Sequence, residues 1–255
     1  MSLCRHTRGY GPDLVLLHGW GMNAAVWEPI LPGLSERFRL TILELPGHGG
    51  SAPAAAADLS EWVALCLAAA PASAHWLGWS LGGQVALGAA LAAPQRVTGL
   101  SLVATTPRFV QAPDWSCAMS VETFEQFAAA LHDEPDATLA RFLALQVKGA
   151  EHGRETLKLL RAELQQRPSA SEAGLAQGLD LLLRNELRAG LERLACPSQW
   201  LFGSRDPLVP AALQTQLRAY LPDADIEQIA GAGHAPFLSH PDASLDALMR
   251  TTGAI

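Results

Sequence analysis

The sequence predicts an α/β protein whose mostly parallel sheet is flanked by helices. Three observations carry this. Apolar runs of strand length recur at residues 14–17, 40–45, 75–78, 97–104, 199–203 and 225–229. Helical stretches separate them, as the crossovers of a parallel sheet require. Each run ends in a loop of Gly, Pro, Asp or His, and ligands of open parallel sheets bind at those carboxyl-end loops.

Taken in order, residues 14–17 read as a buried strand leading into His18-Gly19-Trp20-Gly21. Residues 40–45 form the next, leading into Pro46-Gly47-His48-Gly49-Gly50-Ser51, and 62–70 are helical. Residues 75–78 form a short strand, and an apolar helix over 81–93 follows until Pro94 stops it. The run at 97–104 is rich in Val and Leu. Then the pattern breaks, and four helices are expected between about Pro113 and Asn185. Ser120 caps the first, with Phe124, Phe127 and Leu131 at helical spacing. Pro135 opens the second, which presents Leu139, Phe142, Leu143 and Gln146 on one side and ends at Gly149. The third covers 151–166 before Pro168, and the fourth covers 171–184. The organisation expected is a core of residues 1–112 and 186–255, with a helical cap over 113–185 that selects substrate. Strands at 199–203 and 225–229 complete the sheet.

A chain of 255 residues that is 49% hydrophobic can bury one large core. Its net charge of -7 argues against nucleic acid as a general partner. Cys4, Cys66, Cys117 and Cys196 show neither metal-type spacing nor a short disulfide framework, so they read as reduced thiols of a cytoplasmic protein. The polar N-terminus and the brevity of the 14–17 run predict no secretory signal and no membrane span.

The chemistry centres on Gly78-Trp79-Ser80-Leu81-Gly82. This fits Gly-x-Ser-x-Gly, the strand-turn-helix elbow on which α/β-hydrolases mount a nucleophilic serine. Glycines two residues to either side suit a turn with no room for a Cβ. Serine needs a base and the base needs an orienter, in the chain order Ser, Asp/Glu, His for this fold. Asp206 follows a strand in Phe202-Gly203-Ser204-Arg205-Asp206-Pro207, and His234 follows the last strand in Gly231-Ala232-Gly233-His234-Ala235-Pro236. The reading is Ser80 as nucleophile, His234 as base and Asp206 as orienter. Asp180 and Asp223 compete for the orienter's place. His18 and His48 read as loop-structuring residues, and His240 lies outside the motif. The oxyanion hole is expected from the backbone N–H groups of Leu81 and Trp20. Trp79 is expected to line the pocket. For Phe142, pocket and packing roles both stand.

These segments together resemble a known family. His18-Gly19-Trp20-Gly21-Met22-Asn23 with Trp27, the Ser80 elbow, Arg141-Phe142-Leu143-Ala144-Leu145-Gln146 and Gly233-His234-Ala235-Pro236-Phe237 are similar to the biotin-pathway carboxylesterases of the BioH type. The resemblance runs from about Leu14 to the C-terminus. It implies hydrolysis of the methyl ester of pimeloyl-[acyl-carrier protein] by Ser80, Asp206 and His234. It also implies a substrate pocket at Trp20, Leu81 and Phe142, no cofactor and a soluble cytoplasmic enzyme. Beside the resemblance, the chain is expected to hold no metal and to be a monomer. Glu44 stands where the wider superfamily often has Asp, and Ala137 replaces one basic position a turn before Arg141. Rival readings keep the same three residues: a broad short-acyl or lipase-like esterase, a lactone or C–C hydrolase, or a small-molecule receptor on the same fold.

Carrier proteins of this class are acidic, so the resemblance implies a basic docking face. Charge along the expected cap is segregated. Residues 113–136 hold six acidic and no basic side chains, whereas Arg141 to Arg167 supplies six bases. Arg154, Lys158 and Arg161 fall at i, i+4, i+7 on one stripe of a helix, and Arg141 lies before them. The plainer alternative is a solvated face on which Glu151 and Glu155 pair in place.

Overall fold

The computed structural model describes residues 2–252. Its seven strands are β1 (Arg5–Arg8), β2 (Asp13–Leu17), β3 (Arg39–Leu43), β4 (Ala74–Trp79), β5 (Val97–Val103), β6 (Ser198–Gly203) and β7 (Asp225–Ile229). They form one sheet in the order β1-β3-β2-β4-β5-β6-β7. Only the β1–β3 pair is antiparallel. The expected α/β class with a mostly parallel sheet is borne out, with β1 added as an edge strand.

Both faces of the sheet are covered, and the strand sequences show why. Successive strand residues point to opposite faces. Val15 and Leu17, Trp76, Leu100 and Leu102, Trp200 and Phe202 pack into one apolar core. Leu14 and Leu16, Leu77, Val103 and Leu201 pack into the other. Helices α2 (Leu59–Ala69) and α3 (Leu81–Ala92) supply Trp62, Cys66, Val85 and Leu87 to the first core. The second is closed by the short α1 (Leu31–Ser35) and by residues near the C-terminus such as Phe237 and Leu248. Such strands, buried on both sides, read as continuous apolar runs rather than alternating ones.

Between β5 and β6 lie α4 (Val121–Asp133), α5 (Pro135–Gln146), α6 (Gly153–Leu164) and α7 (Glu172–Arg184). Ser120 and Ser171 cap α4 and α7 by accepting from the N–H groups of Thr123 and Gly174. Helix α6 starts at Gly153, two residues later than expected, because His152 takes a left-handed φ of 54°. Helix α7 is tied to the body of the protein along its length. The Ser171 N–H donates to Gly47 O (2.8 Å), Gln177 Nε2 to Ala54 O (3.0 Å) and Asn185 Nδ2 to Gln84 Oε1 (2.9 Å). The remaining helices, α8 (Leu213–Tyr220), α9 (Pro236–Ser239) and α10 (Pro241–Thr252), flank β6 and β7 or follow them. All four cysteines are free thiols. Among the described residues no helix is long and apolar enough to cross a membrane.

Candidate active site

Strand β4 runs straight into α3 through Ser80, whose φ of 55° and ψ of -118° lie in territory an L-residue avoids. Such strain costs on the order of 1–3 kcal/mol and persists only where the surroundings over-determine it. Here they do. The Ser80 N–H donates to Val103 O (3.0 Å), and its carbonyl accepts from the Gly83 N–H (2.9 Å) and from Thr105 Oγ1 (2.7 Å). The glycines let the chain close this tightly. A Cβ on Gly78 would stand 2.6 Å from Gly83 Cα, and one on Gly82 would stand 2.5 Å from His18 O.

Asp206 follows β6. Its Oδ1 accepts from the N–H groups of Leu208 (2.8 Å) and Val209 (3.0 Å), while Oδ2 lies 2.8 Å from His234 Nδ1. Both side chains of the Asp206–His234 pair are shielded from solvent. The carboxylate assigns the Nδ1 proton, which leaves Nε2 of His234 as the acceptor nitrogen, and that atom is buried with no hydrogen-bond partner among the described residues. His234 and Ser80 line the same cavity. Catalytic hydrogen bonds are often long before substrate binds. The structure thus binds His234 to Asp206 and sets His234 and Ser80 on one cavity, at the carboxyl ends of β4, β6 and β7. The competing carboxylates lie elsewhere: Asp180 pairs with Arg184 at 2.6 Å on α7, and Asp223 is exposed beyond α8.

Leu81 opens α3 and Trp20 sits in the loop after β2. Among the described residues neither backbone N–H has an acceptor in the chain. Gly19 packs against Ser80, with an added Cβ only 3.4 Å from the serine Cβ, so the Trp20 loop borders the elbow. Two buried histidines shape that loop. His18 Nε2 accepts from the Leu45 N–H (3.1 Å), and His48 Nε2 accepts from the Gly21 N–H (3.1 Å). Burial, with His48 close by, pushes His18 down to about 3, and burial pushes His48 down to about 4. Both imidazoles therefore stay neutral and serve as fixed cross-links between the loops after β2 and β3.

The cavity over Ser80 has a volume of about 390 Å³, within the range of small-molecule sites. Trp20, Phe109, Phe124, Phe127 and Phe142 give it an aromatic wall. Trp20 meets Phe142 edge to face at 4.9 Å and Phe127 at 5.4 Å, while its Nε1 donates to Leu175 O on α7 (2.8 Å). Phe124 and Phe127, read from sequence as helix packing, line the cavity as well, together with Leu179, Leu182 and Leu208. Nothing in their 3.6-residue spacing separates a ligand-facing side chain from a core one.

Trp79 requires a correction. It does not line the cavity. Side chains alternate across β4, so Trp79 points to the opposite face and packs edge to face on Phe237 at 5.1 Å. Its Nε1 donates to the carbonyl of His234 (2.8 Å), which holds the histidine loop from beneath.

Arg141 stands at the cavity wall, bonded to Thr138 Oγ1 (2.9 Å) and 3.7 Å from Glu134. Arg154, Lys158 and Arg161 are exposed on α6, and among the described residues none of them forms an ion pair. Glu151 instead reaches across to Arg205 at 3.0 Å, so the in-place pairing considered from the sequence is not formed.

One cluster could in principle ligate a metal: donor atoms of Cys4, His6 and Glu44 lie within 4.8 Å of one another. None of the three lines the cavity. The Arg167 guanidinium already donates to His6 Nε2 at 2.7 Å, and Glu44 accepts from the Gly50 and Ala24 N–H groups. His6 and Glu44 thus already have partners within the protein.

The family model for the alpha/beta hydrolase fold matches residues 12–241. A pimeloyl-[acyl-carrier protein] methyl ester esterase of Xanthomonas oryzae pv. oryzae is 45% identical over 247 residues, 97% of each chain. The protein of the same name from Photobacterium profundum is 42% identical over 94% of each chain. Among solved structures, an esterase from Exiguobacterium antarcticum superposes with a TM-score of 0.88 at 21% identity, over 98% of this chain and 95% of that one. At that identity the likeness speaks to the fold.

Proposed function

Because the chain belongs to the pimeloyl-[acyl-carrier protein] methyl ester esterases, within the α/β-hydrolase fold family, we propose that its cavity is the site of a serine carboxylesterase. The enzyme hydrolyses the methyl ester of pimeloyl-[acyl-carrier protein], a step of biotin synthesis. The observation that carries the mechanism is the buried His234, held by Asp206 at 2.8 Å with its free Nε2 in the same cavity as the Ser80 hydroxyl.

The steps follow from that arrangement. His234 Nε2 takes the Ser80 proton as Oγ attacks the ester carbonyl. The oxyanion is met by the N–H groups of Leu81 and Trp20, each worth about 3 kcal/mol of transition-state stabilisation. The imidazolium, stabilised by the Asp206 carboxylate, returns the proton to the methoxy oxygen, and methanol leaves. Water, deprotonated by His234, then attacks the acyl-enzyme and releases the free carboxylate with Ser80 restored.

The apolar wall of Trp20, Phe127 and Phe142 suits the methylene chain of the acyl group. The carrier protein itself docks on the unpaired bases of α6, Arg154, Lys158 and Arg161, with Arg141 at the mouth. Helices α4 to α7 act as the cap over the site. We place the enzyme in the cytoplasm as a monomer. The test is product analysis by mass spectrometry on pimeloyl-carrier methyl ester with the parent and Ser80→Ala. The parent releases methanol and free acid. Ser80→Ala releases neither and is not labelled by a fluorophosphonate, while its circular dichroism is unchanged. Turnover by Ser80→Ala refutes the assignment.

A further inference from the structure

The base is held by more than Asp206. The connector between α5 and α6, residues 147–152, touches both loops that carry the acid–base pair. The His234 N–H donates to Gln146 O (2.9 Å), at the last residue of α5. The Glu151 N–H donates to Gly231 O (2.9 Å), three residues before the base. From the other loop, Arg205 reaches into the same connector, with Nη1 on Gly149 O (3.2 Å) and Nη2 on Glu151 Oε1 (3.0 Å). Arg205 immediately precedes Asp206. Its own N–H donates to Ala232 O (2.9 Å), and the Gly231 N–H donates to Ser204 Oγ (2.8 Å), which stitches the two loops together.

The chain is shaped for this contact. Gly149 and Gly231 hold φ of 77° and 78°. A Cβ on Gly231 would stand 2.7 Å from the Glu151 carboxyl carbon, and one on Gly233 would stand 2.8 Å from Gln146 O. Helix α5 carries Phe142 and Arg141 on the cavity wall and ends on His234. Whatever presses on that wall therefore bears on the base within one turn of helix.

We propose that Arg205 is a positioning residue: by clasping Gly149 and Glu151 it keeps the Asp206 and His234 loops aligned on the end of α5. This links a filled cavity to an aligned base. It rests on the assignment of Ser80, Asp206 and His234 given above. The clasp is half-exposed, with Arg205 at 49% and Glu151 at 51%, so its contribution to global stability is small and salt-sensitive. A small misplacement of a catalytic group, by contrast, is costly to rate.

The test uses the full-length enzyme with a short p-nitrophenyl ester, which involves no carrier protein. Arg205→Met is expected to lower kcat about tenfold, with KM within about twofold and the melting temperature little changed. Arg205→Lys, which keeps a cation in reach of both oxygens, recovers most of the loss. Glu151→Gln reproduces part of it, and the double variant is no worse than Arg205→Met. Raising ionic strength lowers kcat of the parent and not of Arg205→Met. The proposal is overturned if Arg205→Met retains the parent kcat, or if its loss is matched by an equal loss of folded protein and Arg205→Lys restores nothing. Ser80→Ala run alongside separates the cases, since turnover there removes the underlying assignment, whereas an inactive Ser80→Ala beside a fully active Arg205→Met removes only the clasp.

Discussion

Lowering the pH from 7.5 to 5.5 should destabilise this protein steeply, through three buried imidazoles that take no part in catalysis. His18, His48 and His75 are 0%, 0% and 3% exposed. Burial pushes them down to about 3, about 4 and about 4 respectively, against about 6.5 for an unfolded chain. The acceptor nitrogens of His18 and His48 face backbone N–H donors, so a proton added there would meet another proton. Each folded-state value is depressed, so between 6.5 and about 4 the unfolded chain binds more protons. Stability is therefore fully present above 6.5 and is lost as the pH falls through this window. One unit below 6.5, each histidine costs about 1.4 kcal/mol, and the three together about 4 kcal/mol, a large part of a typical 5–15 kcal/mol total. Asp58 is held below the ordinary carboxylate value by its hydrogen bonds from Ser60, and Asp114 and Glu186 by Arg188, so these groups stay ionised in both states between pH 7.5 and 5.5 and add nothing to the difference. Urea denaturation followed by tryptophan fluorescence at the two pH values measures the difference. His75→Gln, which can still bond Ser101 Oγ, should remove about one third of it. A change of less than about 1 kcal/mol in the parent, or an undiminished change in His75→Gln, would show that these imidazoles are not held neutral by the fold.

Gly82→Ala should cost well over 2 kcal/mol and most of the activity, because the new Cβ would meet the His18 carbonyl at 2.5 Å and force α3 away from β2; a melting temperature equal to the parent's refutes this. Trp79→Phe removes the bond to the His234 carbonyl without touching the cavity, so kcat for a small ester should fall while KM holds; a rise in KM with kcat intact would contradict it. Arg154→Glu with Lys158→Glu should raise KM for the carrier-protein ester, leave a small ester unaffected, and flatten the salt dependence of kcat/KM for the carrier ester. Equal effects on both substrates would count against docking on α6.

The parallel strands were legible because strands buried on both faces must be apolar throughout. Residues 14–17, 97–104 and 199–203 are apolar runs of strand length with Gly or Pro within a few residues of each end. Strand β1 was not. Arg5-His6-Thr7-Arg8 contributes no side chain to either core and earns its place by pairing its backbone with β3, which composition does not encode. The start of α6 is hidden in the sequence for a similar reason. Glu151 looks like a helix residue, yet its N–H and carboxylate are spent on Gly231 and Arg205, and His152 turns left-handed to let the helix begin afterwards.

The site divides along the same line. Ser80, Asp206 and His234 sit in loops whose glycines and prolines are chemically conspicuous, and their order along the chain matches the order of strands that must deliver them. The aromatic wall was half visible: Trp20 stood out beside the elbow, but Phe124 and Phe127 occupy the same helical positions that packing residues would. Trp79 neighbours Ser80 in sequence, yet alternation along β4 sends its side chain to the face of the sheet away from the cavity. Least visible are the contacts around His234, since Gln146, Gly149 and Gly231 act there through carbonyl oxygens that every residue type possesses. A motif therefore reports which atoms react, while the backbone bonds that align them are written only in the positions where a Cβ cannot fit. Gly231 and Gly233, each crowded by the α5–α6 connector, are the sequence trace those bonds leave.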